Sequence, residues 1–163
     1  MCIRDSTTSE DGENNSCTYV GLKQRSMAYS KYASSINYGA RQYASLRSLL
    51  QSSDWAQATA LLRTEDKTPP PGPVDAELKM VLLATALLTS PNFPGPSREL
   101  LVARYYVNEV HFCNQEVLAA VEEQNQSRAL AAWEYGRDAW NSYFFAIDRQ
   151  IVPKVGDKFA PIV

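Results

Sequence analysis

Residues 129–147, ALAAWEYGRDAWNSYFFAI, decide the fold. Leu130, Trp133, Arg137, Trp140, Phe144 and Ile147 recur at steps of three and four, and Ile151 continues the series. Only a helix, with its 3.6-residue turn, brings such positions onto one side. The spacing therefore predicts a long helix with one basic interruption, ended by Pro153. Working outward, EEQNQS (122–127) reads as a turn. Before it, Leu100, Ala103, Val107, Val110, Asn114, Val117 and Val121 form a second stripe, with Ser97 as its cap.

Two breaks organise what lies upstream. SPNFPGPS (90–97) and KTPPPGP (67–73) combine residues that remove backbone donors and hold extended conformations. Between them, Leu78, Val81, Leu82, Thr85 and Leu88 are expected to share a face, with Asp75 as cap. Ahead of the prolines, SSDW (52–55) restarts a helix, with Ser53 or Asp54 able to cap its free amides. Trp55, Ala58, Leu61 and Leu62 mark its buried side. The first strong stripe is Tyr29, Ala33, Ile36, Ala40, Tyr43, Arg47 and Leu50. Gly39 within it weakens the helix by ~1 kcal/mol and suggests a close helix contact. No stretch sustains a two-residue alternation. The expected fold class is all-α: an up-down-up-down four-helix bundle whose second helix is interrupted.

The ends carry different expectations. Residues 1–6, MCIRDS, show no period and match the translation of a common sequencing adaptor, so they are set aside as a scar. On that reading the native start and any targeting peptide lie outside this chain. Residues 7–26 are polar and acidic at their start and are expected to be disordered. The bundle is assigned to 27–152 and an extended tail to 153–163, lying on a partner or back on the bundle.

Composition narrows the function. The 163 residues are 45% hydrophobic and 21% charged, with a net charge of -2. That is ordinary for one globular domain and lacks the basic field that nucleic acid binding favours. No apolar run reaches the ~20 residues of a membrane span. The charge is unevenly placed: from Thr18 to Ser53 the only charged residues are Lys23, Arg25, Lys31, Arg41 and Arg47. This basic helix either packs beside acidic ones or offers a docking face to an acidic partner.

The inventory speaks against catalysis. His111 is the single histidine, and neither Glu109 nor Cys113 shares its helix face. No metal site, cofactor or catalytic residue is expected, and no phosphate-binding loop is present. A polar cavity around Asn114 and His111 would be the one route to an enzyme or carrier. Cys113 reads as a core residue, with pairing to Cys17 left open. Arg47 and Arg137 each replace an apolar residue in a regular stripe. Either their stems lie along the core edge or they form inward ion pairs that fix register. Tyr29, Tyr32, Tyr38 and Tyr43, and then Trp133, Tyr135, Trp140, Tyr143, Phe144 and Phe145, are too many aromatics for one core. Tyr135 and Tyr143 lie off the main stripe and are expected at the surface, as interface anchors.

The layout also resembles a known group. A helix ending in LLQSSDWAQATALLR (49–63), then an interrupted apolar helix, then two long helices ending with residues 129–147, is similar to the PsbQ-like extrinsic photosystem II proteins, including their algal relatives. The similarity runs from about Tyr29 to Ile151. It rests most on Asp54-Trp55 followed by Leu61-Leu62-Arg63, and on the Ala-rich, Tyr-containing last helix. The N-terminal region departs from that group's proline-rich start. The resemblance implies a protein of the chloroplast thylakoid lumen, peripheral to the membrane, with no chemistry of its own. Its partners would be the photosystem II core and other extrinsic subunits, and it would help retain calcium and chloride. Lys31, Arg41, Arg47, Tyr38, Tyr135 and Tyr143 are then the expected partner-binding residues. The alternative is a helical scaffold subunit of some other complex.

Overall fold

A computed structural model describes residues 22–63, 72–88, 98–155 and 158–163. All regular structure among them is helical: α1 (Leu22–Gln51), α2 (Trp55–Leu62), α3 (Pro73–Leu88), α4 (Arg98–Glu122) and α5 (Gln126–Val155). Residues 1–21, the first proline-rich break up to Pro71, the whole of the second and the proposed Ser97 cap lie outside the described residues, as does Cys17 with its proposed pairing.

Two corners are built alike. Ser53 and Gln124 both adopt left-handed backbone, at φ 57 and 55. At the first corner, Asp54 N–H bonds to Leu49 O at 2.9 Å and Ser53 N–H to Leu50 O at 3.2 Å. At the second, Asn125 N–H bonds to Ala120 O at 2.8 Å and Gln124 N–H to Val121 O at 3.0 Å. This paired closure satisfies the last carbonyls of a helix. The next residue then caps the following helix. Asp54 Oδ1 accepts from Gln57 N–H, and Asn125 Oδ1 from Arg128 N–H, both at 3.1 Å. The Gln126 amide ties the corners together by donating to the Leu50 and Gln51 carbonyls, each at 2.9 Å.

Helix limits differ from expectation in three places. α1 begins at Leu22, inside the segment expected to be disordered, because Leu, Lys, Gln and Arg are good helix formers. Asp75 is not a cap. α3 starts at Pro73, whose missing N–H costs nothing in the first turn, and Asp75 sits within that turn, where its charge complements the helix dipole. α5 continues to Val155, past Pro153, since a proline in the last turn removes only one internal hydrogen bond.

α1 packs on α3 and α5, and α4 on α5 and α3, while α2 lies against α1 and α4. α4 and α5 form an antiparallel hairpin, with Glu116 bonded to Arg128 and Glu109 to Tyr135. The stripes of α1, α4 and α5 are buried much as their spacing predicts. On α3 the buried face is instead Ala76, Met80, Leu83 and Ala84, and Leu78 is 58% exposed. Close approach explains the choice. A Cβ on Gly39 of α1 would come within 2.4 Å of Ala76 Cβ, so the two small residues set the α1–α3 distance.

The centre of the molecule is aromatic. Trp133 and Tyr43 stack at 5.9 Å, 10° between planes. Trp133 Nε1–H donates to the Tyr43 carbonyl at 2.8 Å, and Tyr43 Oη–H donates to the Trp133 carbonyl at 3.0 Å. Each polar handle is thus satisfied by the other residue's main chain, as burial of such groups requires. Burial drives the Tyr43 phenol far above its ordinary pKa, so the hydroxyl remains a donor. The close fit depends on Gly136, where a Cβ would lie 2.0 Å from Tyr43 Oη.

Candidate interaction surface

The basic face of α1 is largely present where expected. Lys31 and Arg41 are exposed, and Tyr38 is half-buried between them in sequence. The Arg41 guanidinium lies 5.9 Å from the Tyr38 ring centre, and Lys31 Nζ lies 5.2 Å from that of Tyr32. Arg47 is only half-exposed and turns toward the core edge. It lies 5.3 Å from the Trp133 ring centre, and Arg137 lies 5.8 Å from the same ring. The two stripe arginines thus meet on one buried indole, and Arg137 also pairs with Asp138 at 2.9 Å. Their stems run along the apolar core while the guanidinium faces the ring quadrupole.

Tyr143 corrects an expectation. It is fully buried, and its hydroxyl donates to the Met80 carbonyl of α3 at 2.7 Å. Burial alone holds its phenol well above the usual range. α5 is covered on two sides, by α1 and by α3 with α4, so a residue off the first stripe still enters the core. Tyr143 cannot anchor a partner.

Tyr135 is at the surface, 58% exposed, but away from the basic face of α1. Its hydroxyl donates to Glu109 Oε2 of α4 at 2.9 Å. Tyr105, Tyr106, Glu109, Tyr135, Asp138, Ala139 and Ser142 line a groove of about 190 Å³ between α4 and α5. An adjoining depression of about 350 Å³ is lined by Tyr106, Asp138, Asn141, Ser142 and Phe145. Tyr105 and Phe145 are 54% and 65% exposed. The Glu109 charge raises the Tyr105 phenol, and its hydrogen bond raises that of Tyr135. No local pattern singles out Tyr105, Tyr106 or Asp138, and Glu109 enters the sequence analysis only as a partner considered for His111. The available signal was geometric: an antiparallel hairpin brings off-stripe residues of its two helices onto one outer face.

Two other features bear on function. Glu77 of α3 bridges to α4, with Oε1 accepting from Asn114 Nδ2–H at 2.6 Å and Oε2 lying 2.9 Å from His111 Nδ1. These groups bond to one another across the helix interface. Asn114 is 2% exposed, and its Oδ1 has no hydrogen-bond partner. Cys113 is buried beside them, and burial pushes its thiol up to about 11, away from the thiolate a nucleophile needs.

The C-terminal segment lies back on the bundle. Phe159 stacks on Phe144 at 4.9 Å and meets Tyr29 at 5.2 Å. Asn141 clamps Ile162 from both sides, accepting its N–H at 2.8 Å and donating to its carbonyl at 2.9 Å. Among the described residues, no helix is long and apolar enough to cross a membrane.

Comparison of the chain with protein-family models, curated proteins and solved structures gives no match.

Proposed function

We propose that this chain is a non-catalytic subunit that works by docking, and that the complex it joins is photosystem II at its lumenal side. The observation that carries the docking reading is the division of polar groups between inside and outside. The hydroxyls of Tyr43 and Tyr143 and the indole N–H of Trp133 are consumed by main-chain carbonyls. Lys31 and Arg41 of α1, and Tyr105 and Tyr135 of the α4–α5 groove, are exposed and open to a partner. The photosystem identity rests on the resemblance of residues 29–151 to the PsbQ-like group. In this reading α2 and α3 together form the second, interrupted element of an up-down-up-down four-helix bundle. That is supported by the short corner at Ser53, the antiparallel α4–α5 hairpin and the cyclic packing of α1, α3, α4 and α5. Docking would bury surface over the oxygen-evolving site and slow the escape of its ions, from the chloroplast thylakoid lumen.

The test is rebinding to salt-washed algal photosystem II membranes. Salt-sensitive rebinding with a gain in oxygen evolution is expected. A Lys31→Glu/Arg41→Glu double variant should bind several-fold more weakly at low salt, because charges at an interface rim steer association. No rebinding, or rebinding unaffected by salt and by the double variant, would instead favour a scaffold role in another complex.

A further inference from the structure

From the α4–α5 groove we infer that the chain carries a pocket for an organic cation: the ammonium or guanidinium head of a lysine or arginine on a partner protein. Three rings and the Glu109 carboxylate, from Tyr105, Tyr106, Tyr135 and Glu109, converge on about 190 Å³, no lysine or arginine is among the lining residues, and the Asp138 carboxylate at the edge is already paired with Arg137. Aromatic faces and carboxylates both attract cations, and grouped rings recognise ammonium ions. The Tyr135 hydroxyl holds the Glu109 carboxylate among the rings, at 2.9 Å.

The rest of the surface supplies the contrast. Lys31 covers Tyr32, Arg41 covers Tyr38, and Arg149 covers Phe145 at 5.5 Å. Among the described residues, no lysine or arginine of this chain sits over Tyr105, Tyr106 or Tyr135 in the same way. The three rings and Glu109 are therefore the kind of surface that this molecule elsewhere covers with its own cations, but here the rings are left uncovered. The pocket is also open, and continues into the depression beside Phe145, which gives an incoming chain room for its stem and backbone. That favours a side chain over a free small amine.

The inference does not depend on which complex the chain joins. Its test uses the isolated protein, so its failure is distinct from failure of rebinding. Tyrosine ring resonances are followed by NMR during titration with tetramethylammonium chloride, with the peptide acetyl-Gly-Lys-Gly-amide, and with the neutral isostere 3,3-dimethylbutanol, at constant ionic strength. Saturable shifts of Tyr105, Tyr106 and Tyr135 are expected with both cations, at affinities on the order of millimolar. Glu109→Gln and Tyr135→Ala should each weaken binding by roughly threefold or more, and Tyr135→Phe, which keeps the ring, should bind more tightly than Tyr135→Ala. Equal shifts with the neutral isostere, unchanged binding in Glu109→Gln and Tyr135→Ala, or no saturable shift would overturn the pocket. Binding of tetramethylammonium with exclusion of the peptide would overturn the assignment to a protein side chain.

Discussion

Tyr135 and Tyr143 sit on one helix, two turns apart, and do opposite things. Tyr143 is sealed against α3 and gives its hydroxyl to a main-chain carbonyl. Tyr135 stands at the rim of the α4–α5 groove and gives its hydroxyl to a carboxylate. The residue type is the same, so the difference belongs to the neighbours. On the inner side, α1 and α3 close over α5, and every phenol must find a fixed partner because water cannot reach it. On the outer side only α4 is adjacent, and the rings retain an open face. The inner seam stabilises the fold; the outer seam is free to recognise something else.

Substitution can break this contrast on the inner side most severely. Trp133→Ala removes the ring at the centre of the aromatic cluster, together with the indole N–H bond to the Tyr43 carbonyl. A loss of roughly 3–5 kcal/mol is expected in urea unfolding. Gly136→Ala is next. Its new methyl must displace the Tyr43 hydroxyl, at an expected cost of about 1–3 kcal/mol, despite the better helix propensity of alanine. The tyrosine pair sharpens the comparison directly. Tyr143→Phe should cost about 1 kcal/mol in the same measurement, whereas Tyr135→Phe should fall within about 0.5 kcal/mol of the parent. Equal costs for the two would erase the distinction between the seams.

The smallest effect concerns Asp148, at the edge of α5. Burial raises its carboxyl, although Phe159 N–H, donating to Oδ1 at 3.3 Å, works in the other direction. The folded chain therefore holds the Asp148 proton more tightly than the unfolded chain does. The stability this contributes is present at acid pH and is lost as pH rises past ~4 and through the raised folded value. Asp148→Asn keeps an acceptor for Phe159 and removes this step. Thermal melts across pH should show the variant gaining on the parent as pH rises. A variant that loses ground over that range would contradict the assignment.

Particular residues show how far the sequence could be read. Trp133, Trp140 and Phe144 are buried where their spacing placed them, and Asp54 caps where SSDW suggested. The face of α3 was not legible. In MVLLATALL nearly every position is apolar, so periodicity carries no phase, and the packing of Ala76 under Gly39 made the choice. Tyr143 was misjudged for a related reason: whether an off-stripe residue is exposed depends on whether a second helix covers that side of its own helix, as α3 covers Tyr143 while Tyr135 stays exposed. The α4–α5 groove needed the pairing of two helices, so no local pattern announced it.

The sequence sufficed for the helical class, for the cap at Asp54 and for a turn within 122–127, because helical period, capping and turn formation are local properties of the chain. It also determined which stripe of α1, α4 and α5 would turn inward. Tertiary structure alone decided the phase of α3, the burial of Tyr143 and the meeting of Arg47 and Arg137 on Trp133. It alone gathered Tyr105, Tyr106, Glu109 and Tyr135 into one groove. Those outcomes depend on distances between helices, which are set by how side chains from separate parts of the chain fill shared space.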